Sequence, residues 1–135
     1  MKLLMVAVLS LFPLVCEAHH SMAGVPVRSA HCGWVQGDSL RDVRNVSEFC
    51  AQSVDTELRI DAVTSDREHL WIEAPRQLIV GVRSGDRDAR LRLATWLREW
   101  RRISGFRAAS VSLVVNHVDV VTARATMKGD VIALR

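Results

Sequence analysis

The sequence of 135 residues lacks the motifs that most directly identify a function. It contains no glycine-rich phosphate-binding loop, no HExxH zinc motif and no pair of CxxC motifs. The common nucleotide-binding, zinc-protease and zinc-ribbon patterns are therefore missing. The features of the sequence that bear on function are its charge, its periodicity and the few residues with distinctive chemistry.

Lysine is almost missing, although the chain is basic. Only Lys2 and Lys128 are lysine among 18 basic residues, and 15 acidic residues leave a formal net charge of +3. That excess is too small to indicate nucleic-acid binding. Arginine suits bidentate recognition of carboxylate or phosphate, although such a bias also follows from genome composition. Nucleic acid is therefore not expected as a partner.

Long apolar runs are missing apart from residues 3–15, which are too few for a membrane span of about 20 residues. Together with Lys2 before this run and small residues at Cys16 and Ala18, the pattern predicts a secretory signal peptide over residues 1–18. A lipoprotein cysteine at position 16 is disfavoured because Val15 precedes it. We expect a periplasmic or secreted protein with no transmembrane segment after cleavage.

Cysteine is scarce as well, with three in the chain. Cleavage after Ala18 would remove Cys16 and leave Cys32 and Cys50. An even pair in an oxidising compartment predicts a disulfide. A metal site or a nucleophilic cysteine is the alternative.

The strongest pattern is a helix over residues 84–103, which can be capped by Ser84 or Asp86 and stopped by Gly105. At helical spacing, one face is apolar and is expected to be buried. It consists of Ala89, Leu93, Trp96, Leu97, Trp100 and Ile103.

A neighbouring stripe of the same helix is basic, and we name it the arginine face. It consists of Arg87, Arg90, Arg98, Arg101 and Arg102. Arg98 and Arg102 are like charges four residues apart, which mildly destabilises a helix. The stripe therefore suggests an anion-binding surface, although solvated arginines also commonly cover an apolar flank.

The remaining pattern predicts one α+β domain over residues 38–135, preceded by a flexible lead-in over residues 19–37. A second helix is expected over residues 39–54, and a turn over residues 64–67. Alternating segments predict strands over residues 57–63, 69–74, 77–83, 109–115, 118–127 and 131–134. The expected architecture has two layers, with two helices on one face of an antiparallel sheet of about six strands, in the order αβββαβββ.

The mature N-terminus offers a metal-binding hypothesis. His19 would present both its amine and its imidazole, and in this respect the chain is similar to secreted copper oxygenases that begin with histidine. That resemblance covers one position and implies copper as a ligand. A site could use His19, His20, Met22 and His31, with His69 or His117 as further ligands. The alternative is a cleavage junction followed by an unstructured tail.

A hydrolase site is a further alternative, built from His117 and Asp119 with Ser110 or Ser112. Nothing in the sequence marks either serine as activated. The sequence favours a non-catalytic exported binding protein without a cofactor, which meets a protein or an anionic envelope component through the arginine face. A periplasmic copper-binding protein and a small secreted hydrolase remain the alternatives.

Overall fold

The fold is a single sheet with helices packed on it, seen in a computed structural model that describes residues 26–55, 57–116 and 118–134. Within these residues there are seven strands and three helices. In chain order they are β1 (Val27–Ser29), β2 (Gly33–Gly37), α1 (Leu40–Ser53), β3 (Ala62–Asp66), β4 (His69–Glu73), α2 (Arg76–Ser84), α3 (Arg87–Ser104), β5 (Ser110–Val115), β6 (Val118–Thr126) and β7 (Gly129–Leu134).

The strands lie side by side in sequence order, from β1 to β7. The pairs β2–β3 and β4–β5 are parallel, and the other neighbours are antiparallel. The α+β class is therefore confirmed. The expected antiparallel sheet of about six strands is instead mixed with seven described strands, and the described helices number three instead of two. Parallel neighbours require crossover connections, which α1 and the α2–α3 pair provide.

The two crossovers place their helices on the same face of the sheet, because α1 packs on α3. Each crossover connects a strand to its next neighbour in the order β1 to β7. The parallel pair β2–β3, however, runs in the opposite direction to the parallel pair β4–β5, because β3 and β4 are antiparallel. On one shared face, such crossovers must have opposite hands. One of them therefore departs from the strong preference for right-handed connections, and none of the three described helices lies on the other face of the sheet.

The core lies between this face and the helices. Neighbouring strands align a continuous buried row across the sheet. The row consists of Val35, Val63, Ile72, Leu113 and Val121.

From α3, Trp96 and Trp100 fill this core, and both make edge-to-face contacts with Phe49 of α1, with ring centroids 6.4 and 6.1 Å apart. The predicted burial of the apolar face of α3 is confirmed for all of its members except Ile103, which is half-buried.

The helix caps also follow the sequence. The Ser39 hydroxyl accepts from the Asp42 N–H at 3.1 Å, and the Asp86 carboxylate accepts from the Ala89 N–H at 2.9 Å. Gly105 ends α3 in the left-handed conformation, with φ of 78°. Both long helices were therefore predicted within three residues of their bounds.

The strand expected over residues 77–83 is wrong, because these residues belong to α2. Leu78 and Val82 are buried, as a strand alternation would also require, but Ile79 is buried and Val80 is 55% exposed. Gly81 lets α2 approach α3 closely, since a Cβ there would lie 2.9 Å from the Ala89 Cβ. The helix has nine residues, too few for its period to be distinguished from alternation.

The strand expected over residues 57–63 is displaced, and the turn expected over residues 64–67 is wrong. The observed strand β3 runs to Asp66, and the chain turns at Arg67, with φ of 53°, and Glu68. The pairing of Ser65 with Leu70 keeps this serine in the sheet, with its side chain buried. Polar turn-forming residues were misread because tertiary pairing overrides their local preference.

Two strands, β1 and β2, lie inside the segment treated as a lead-in. They have three and five residues, and β2 has glycine at both ends, so they show little periodicity. The predicted disulfide between Cys32 and Cys50 is confirmed, with Cα atoms 5.7 Å apart. It joins the β1–β2 turn to α1.

Candidate functional site

The uncovered face of the sheet carries an open groove of about 700 Å³. We name it the open-face groove. Its described lining consists of Pro26, Trp34, Gln36, Ala62, Thr64, Trp71, Glu73 and Val114. These side chains lie on the opposite face from the buried aliphatic row, because successive residues of a strand point to opposite faces.

Strand register sets the layout of the groove. One row across the sheet aligns Trp34, Ala62 and Glu73, and the next row aligns Gln36, Thr64 and Trp71. The small residues of β3 therefore form the floor. The two indoles lie at diagonal corners, on strands separated by two spacings, or roughly 9–10 Å. The Gln36 amide and the Glu73 carboxylate occupy the other two corners.

Both groove tryptophans interact through their ring faces. Trp34 is 46% exposed, and the Arg28 guanidinium lies over its ring, 4.6 Å from the centroid. Trp71 is half-buried and contacts the His69 ring at 4.1 Å between centroids. Each groove indole therefore has a neighbouring side chain that restricts its orientation.

His69 is itself held by hydroxyl groups on β5. Its Nε2 lies 2.9 Å from the Ser112 hydroxyl, and its Nδ1 contacts the Ser110 hydroxyl. Ser112 continues the chain of hydrogen bonds to Thr122, at 2.7 Å. Hydroxyls both donate and accept, so they match a neutral imidazole in either tautomer. This network fixes the ring that contacts Trp71.

Burial lowers the pKa of His69 below its ordinary value, and the Arg124 guanidinium lowers it further. The carboxylates of Asp119, Glu68 and Asp66 act in the opposite direction, and Asp119 is the strongest of the three. The net lowering favours the neutral ring at neutral pH.

This arrangement differs from that of an activated serine nucleophile. In a catalytic triad, one imidazole nitrogen faces the serine and a carboxylate orients the other. Here the two ring nitrogens of His69 face two serine hydroxyls, and Ser112 is fully buried. The serines considered for a hydrolase thus contact His69. Asp119 lies on β6 opposite Val114, and His117 lies outside the described residues.

The arginine face lies on the helical layer, and three of its members contact neighbouring groups. Arg90 donates from Nε to the Val82 carbonyl at 3.0 Å, and Arg101 pairs with Asp130 at 3.1 Å. Arg102 pairs with Glu99 at 2.7 Å and donates to Gln52 at 2.8 Å.

The remaining two arginines of this face, Arg87 and Arg98, are exposed. Anion binding by the arginine face stays a prediction.

Of the main proposed copper ligands, His19, His20 and Met22 lie outside the described residues. His31 is described, and its Nδ1 lies 3.2 Å from the Val54 carbonyl. Across the described ranges, no group of three or more His, Cys, Asp or Glu residues is placed to hold a metal ion. The copper hypothesis therefore stays a prediction.

Sequence reasoning missed the groove. In the alternation of residues 69–74, Trp71 occupies an outward position. A large aromatic side chain on the solvent-facing side of a strand was the sequence signal that could have indicated a binding site. Trp34 fell in the supposed lead-in, where no period indicated a strand. The juxtaposition of the two depends on β3 lying between β2 and β4.

The chain matches no known protein family, no curated protein and no solved structure. In the described part of the chain, the helices are too short or too polar to cross a bilayer.

Proposed function

We propose that this is an exported, non-catalytic binding protein whose ligand site is the open-face groove. The observation that carries the proposal is the pair of partly exposed tryptophans, Trp34 and Trp71, placed on either side of a floor of small residues. The ligand is a small molecule with an apolar body that packs against the indoles.

Export is supported by two features. Residues 1–18 have the pattern of a secretory signal peptide. Cys32 and Cys50 are joined, and structural disulfides persist mainly in oxidising compartments. We therefore place the protein in the periplasm or outside the cell.

The groove has the properties expected of a small-molecule site. Its volume of about 700 Å³ lies within the range of roughly 300–1,000 Å³ found for ligand pockets. Most of its lining is apolar, and Gln36, Thr64 and Glu73 supply a few polar groups. The hydrogen bonds to His69 hold a ring against Trp71, so less freedom is lost when a ligand binds.

The indole N–H signals in a ¹H–¹⁵N NMR spectrum test this proposal directly. Benzyl alcohol, used as a neutral aromatic probe, should shift the signals of Trp34 and Trp71 and approach saturation. The buried Trp96 and Trp100 donate to the Ser53 and Glu68 carbonyls, so their signals serve as internal controls.

Trp71→Ala should remove the shift at Trp34, because one wall of the groove is lost. Leu91→Ala is the matched control, since Leu91 is a 61% exposed apolar side chain on α3. Equal shifts at all four indoles, or none at Trp34 and Trp71, would contradict the proposed site.

A second candidate function is the binding of an anionic envelope component through the arginine face. The observation that favours it is the exposure of Arg87 and Arg98 on an 18-residue helix whose other face is buried. Fixed guanidinium groups bind phosphate with little ordering cost.

Vesicles containing phosphatidylglycerol test this second candidate. Binding should weaken as salt rises and should be lost in the double variant Arg87→Glu, Arg98→Glu. The double variant Arg59→Glu, Arg107→Glu is the charge-matched control, because both arginines are exposed but lie outside α3. An equal loss in both variants would show that net charge alone, not the arginine face, determines binding.

A further inference from the structure

We propose that the ligand of the open-face groove is a small organic cation with a quaternary ammonium group. This inference rests on the proposed function, since it names the chemistry that the same groove would select.

The groove is lined by two indole rings, those of Trp34 and Trp71. An indole ring attracts a cation placed over its face within about 6 Å, through its quadrupole. The protein already contains such a contact, because the Arg28 guanidinium lies 4.6 Å from the centroid of Trp34. Trp71, at the diagonal corner of the groove, provides a second aromatic surface. Two indoles on either side of a small floor can contact one alkylammonium group together.

Carboxylates lie in and beside the groove. Glu73 is the one ionisable side chain among the eight described residues that line the groove. On the same face of β3, Asp66 follows the floor residues Ala62 and Thr64 at the strand end. Loss of hydration raises the pKa of nearby Asp38, and the Asp66 carboxylate raises it further. The Arg28 guanidinium over Trp34 is a positive charge at the groove, but the carboxylates of Glu73 and Asp66 outnumber it, so a cation is favoured over an anion.

The apolar lining of the groove suits a quaternary ammonium better than a primary one. A primary ammonium has three N–H donors, each of which requires an acceptor once it leaves water. Pro26, Ala62 and Val114 present apolar side chains to much of the groove. A trimethylammonium group has no N–H donors, and its methyl groups can pack on these side chains while the charge faces the indoles.

Choline and its uncharged analogue of the same shape, 3,3-dimethylbutan-1-ol, separate charge from shape. In the indole NMR titration of the wild-type protein, choline should bind Trp34 and Trp71 at least about fivefold more tightly than the alcohol. The signals of Trp96 and Trp100 should not move in either titration.

Two variants test the residues involved. Glu73→Gln should weaken choline binding by about fivefold and leave binding of the alcohol unchanged. Arg28→Ala should tighten choline binding, because it removes both a competing cation over Trp34 and a positive charge at the groove. Unchanged Trp96 and Trp100 signals show that each variant keeps the core.

The outcomes are distinguishable. If the alcohol binds as tightly as choline, the cation inference is wrong, although the groove remains a binding site. If neither binds while benzyl alcohol still shifts Trp34 and Trp71, the cation inference again fails alone. If none of the three probes shifts these indoles, the proposed function fails with it. Tighter binding of choline than of the alcohol supports the inference, and so does the loss of this difference in Glu73→Gln. The first of these comparisons uses the wild-type protein alone.

Discussion

The two faces of the sheet use the same residue type for different purposes. On the helix-covered face, Trp96 and Trp100 are almost completely buried, and their indole N–H groups donate to backbone carbonyls at 3.1 and 2.9 Å. On the open face, Trp34 and Trp71 keep part of their surface in solvent and meet a guanidinium and an imidazole. Satisfied N–H groups permit full burial, whereas exposed ring faces remain available to a ligand.

The rest of each face follows the same division. The covered face aligns aliphatic residues from strand to strand, which gives stability through burial. The open face aligns Gln36, Thr64, Trp71, Ser112 and Thr122 in one row. In this row Ser112 and Thr122 are buried and share a hydrogen bond at 2.7 Å, whereas Trp71 keeps part of its surface in solvent.

The largest expected effect separates the two faces by stability. Trp100→Ala should lower the free energy of unfolding by about 3–5 kcal/mol, because it leaves a cavity against Phe49. Trp34→Ala, the same substitution on the open face, should cost less than about 1 kcal/mol. Urea unfolding measures both, and equal losses would remove the distinction between the faces.

The next effect concerns the disulfide, which links α1 to the turn before Trp34. The double variant Cys32→Ala, Cys50→Ala should lose about 3 kcal/mol on the chain-entropy estimate. Urea unfolding of the variant and of the oxidised protein gives the difference. A loss below about 1 kcal/mol would show that the unfolded chain is little constrained by this link.

A smaller effect is expected from pH, and it belongs to the open face. The pKa of His69 is lowered from 6.5 in the folded state, so the unfolded chain binds the proton first as pH falls. The stability contribution of the neutral ring is therefore present above pH 6.5 and decreases as pH falls below it.

His69→Gln should flatten the dependence of unfolding free energy on pH in this range. Asp119, Glu68, Asp66 and Arg124 remain in the variant, so their contributions cancel in the comparison. An identical slope in variant and wild type would show that His69 keeps its ordinary pKa.

The smallest effects are expected on the outer surface of the helical layer. Arg98→Glu should change the unfolding free energy by less than about 0.5 kcal/mol, because the side chain is exposed. Arg101→Glu breaks the partly exposed ion pair with Asp130 and should cost about 0.2–1 kcal/mol. Chemical denaturation of the two variants side by side tests whether side chains of the arginine face contribute to the free energy of unfolding.

The elements that could be predicted share strong local signals. Helices α1 and α3 have 14 and 18 residues, enough turns for their apolar faces and caps to be recognised. The nine residues of α2, and the three and five residues of β1 and β2, are too short for that. The groove escaped prediction for a related reason, since Trp34 lay on one of these unrecognised strands.

The sequence by itself determined the two long helices, the buried apolar face of α3 and the disulfide partners. These depend on local periodicity and on how many cysteines are left to pair. Only the tertiary structure decided which face of the sheet stays open. Right-handed connections throughout would have placed α1 and the α2–α3 pair on opposite faces of this strand order. Packing of Phe49 against Trp96 and Trp100 joins the helices on one face. On the other face Trp34 and Trp71 keep part of their surface exposed, and neither residue's local sequence contains that information.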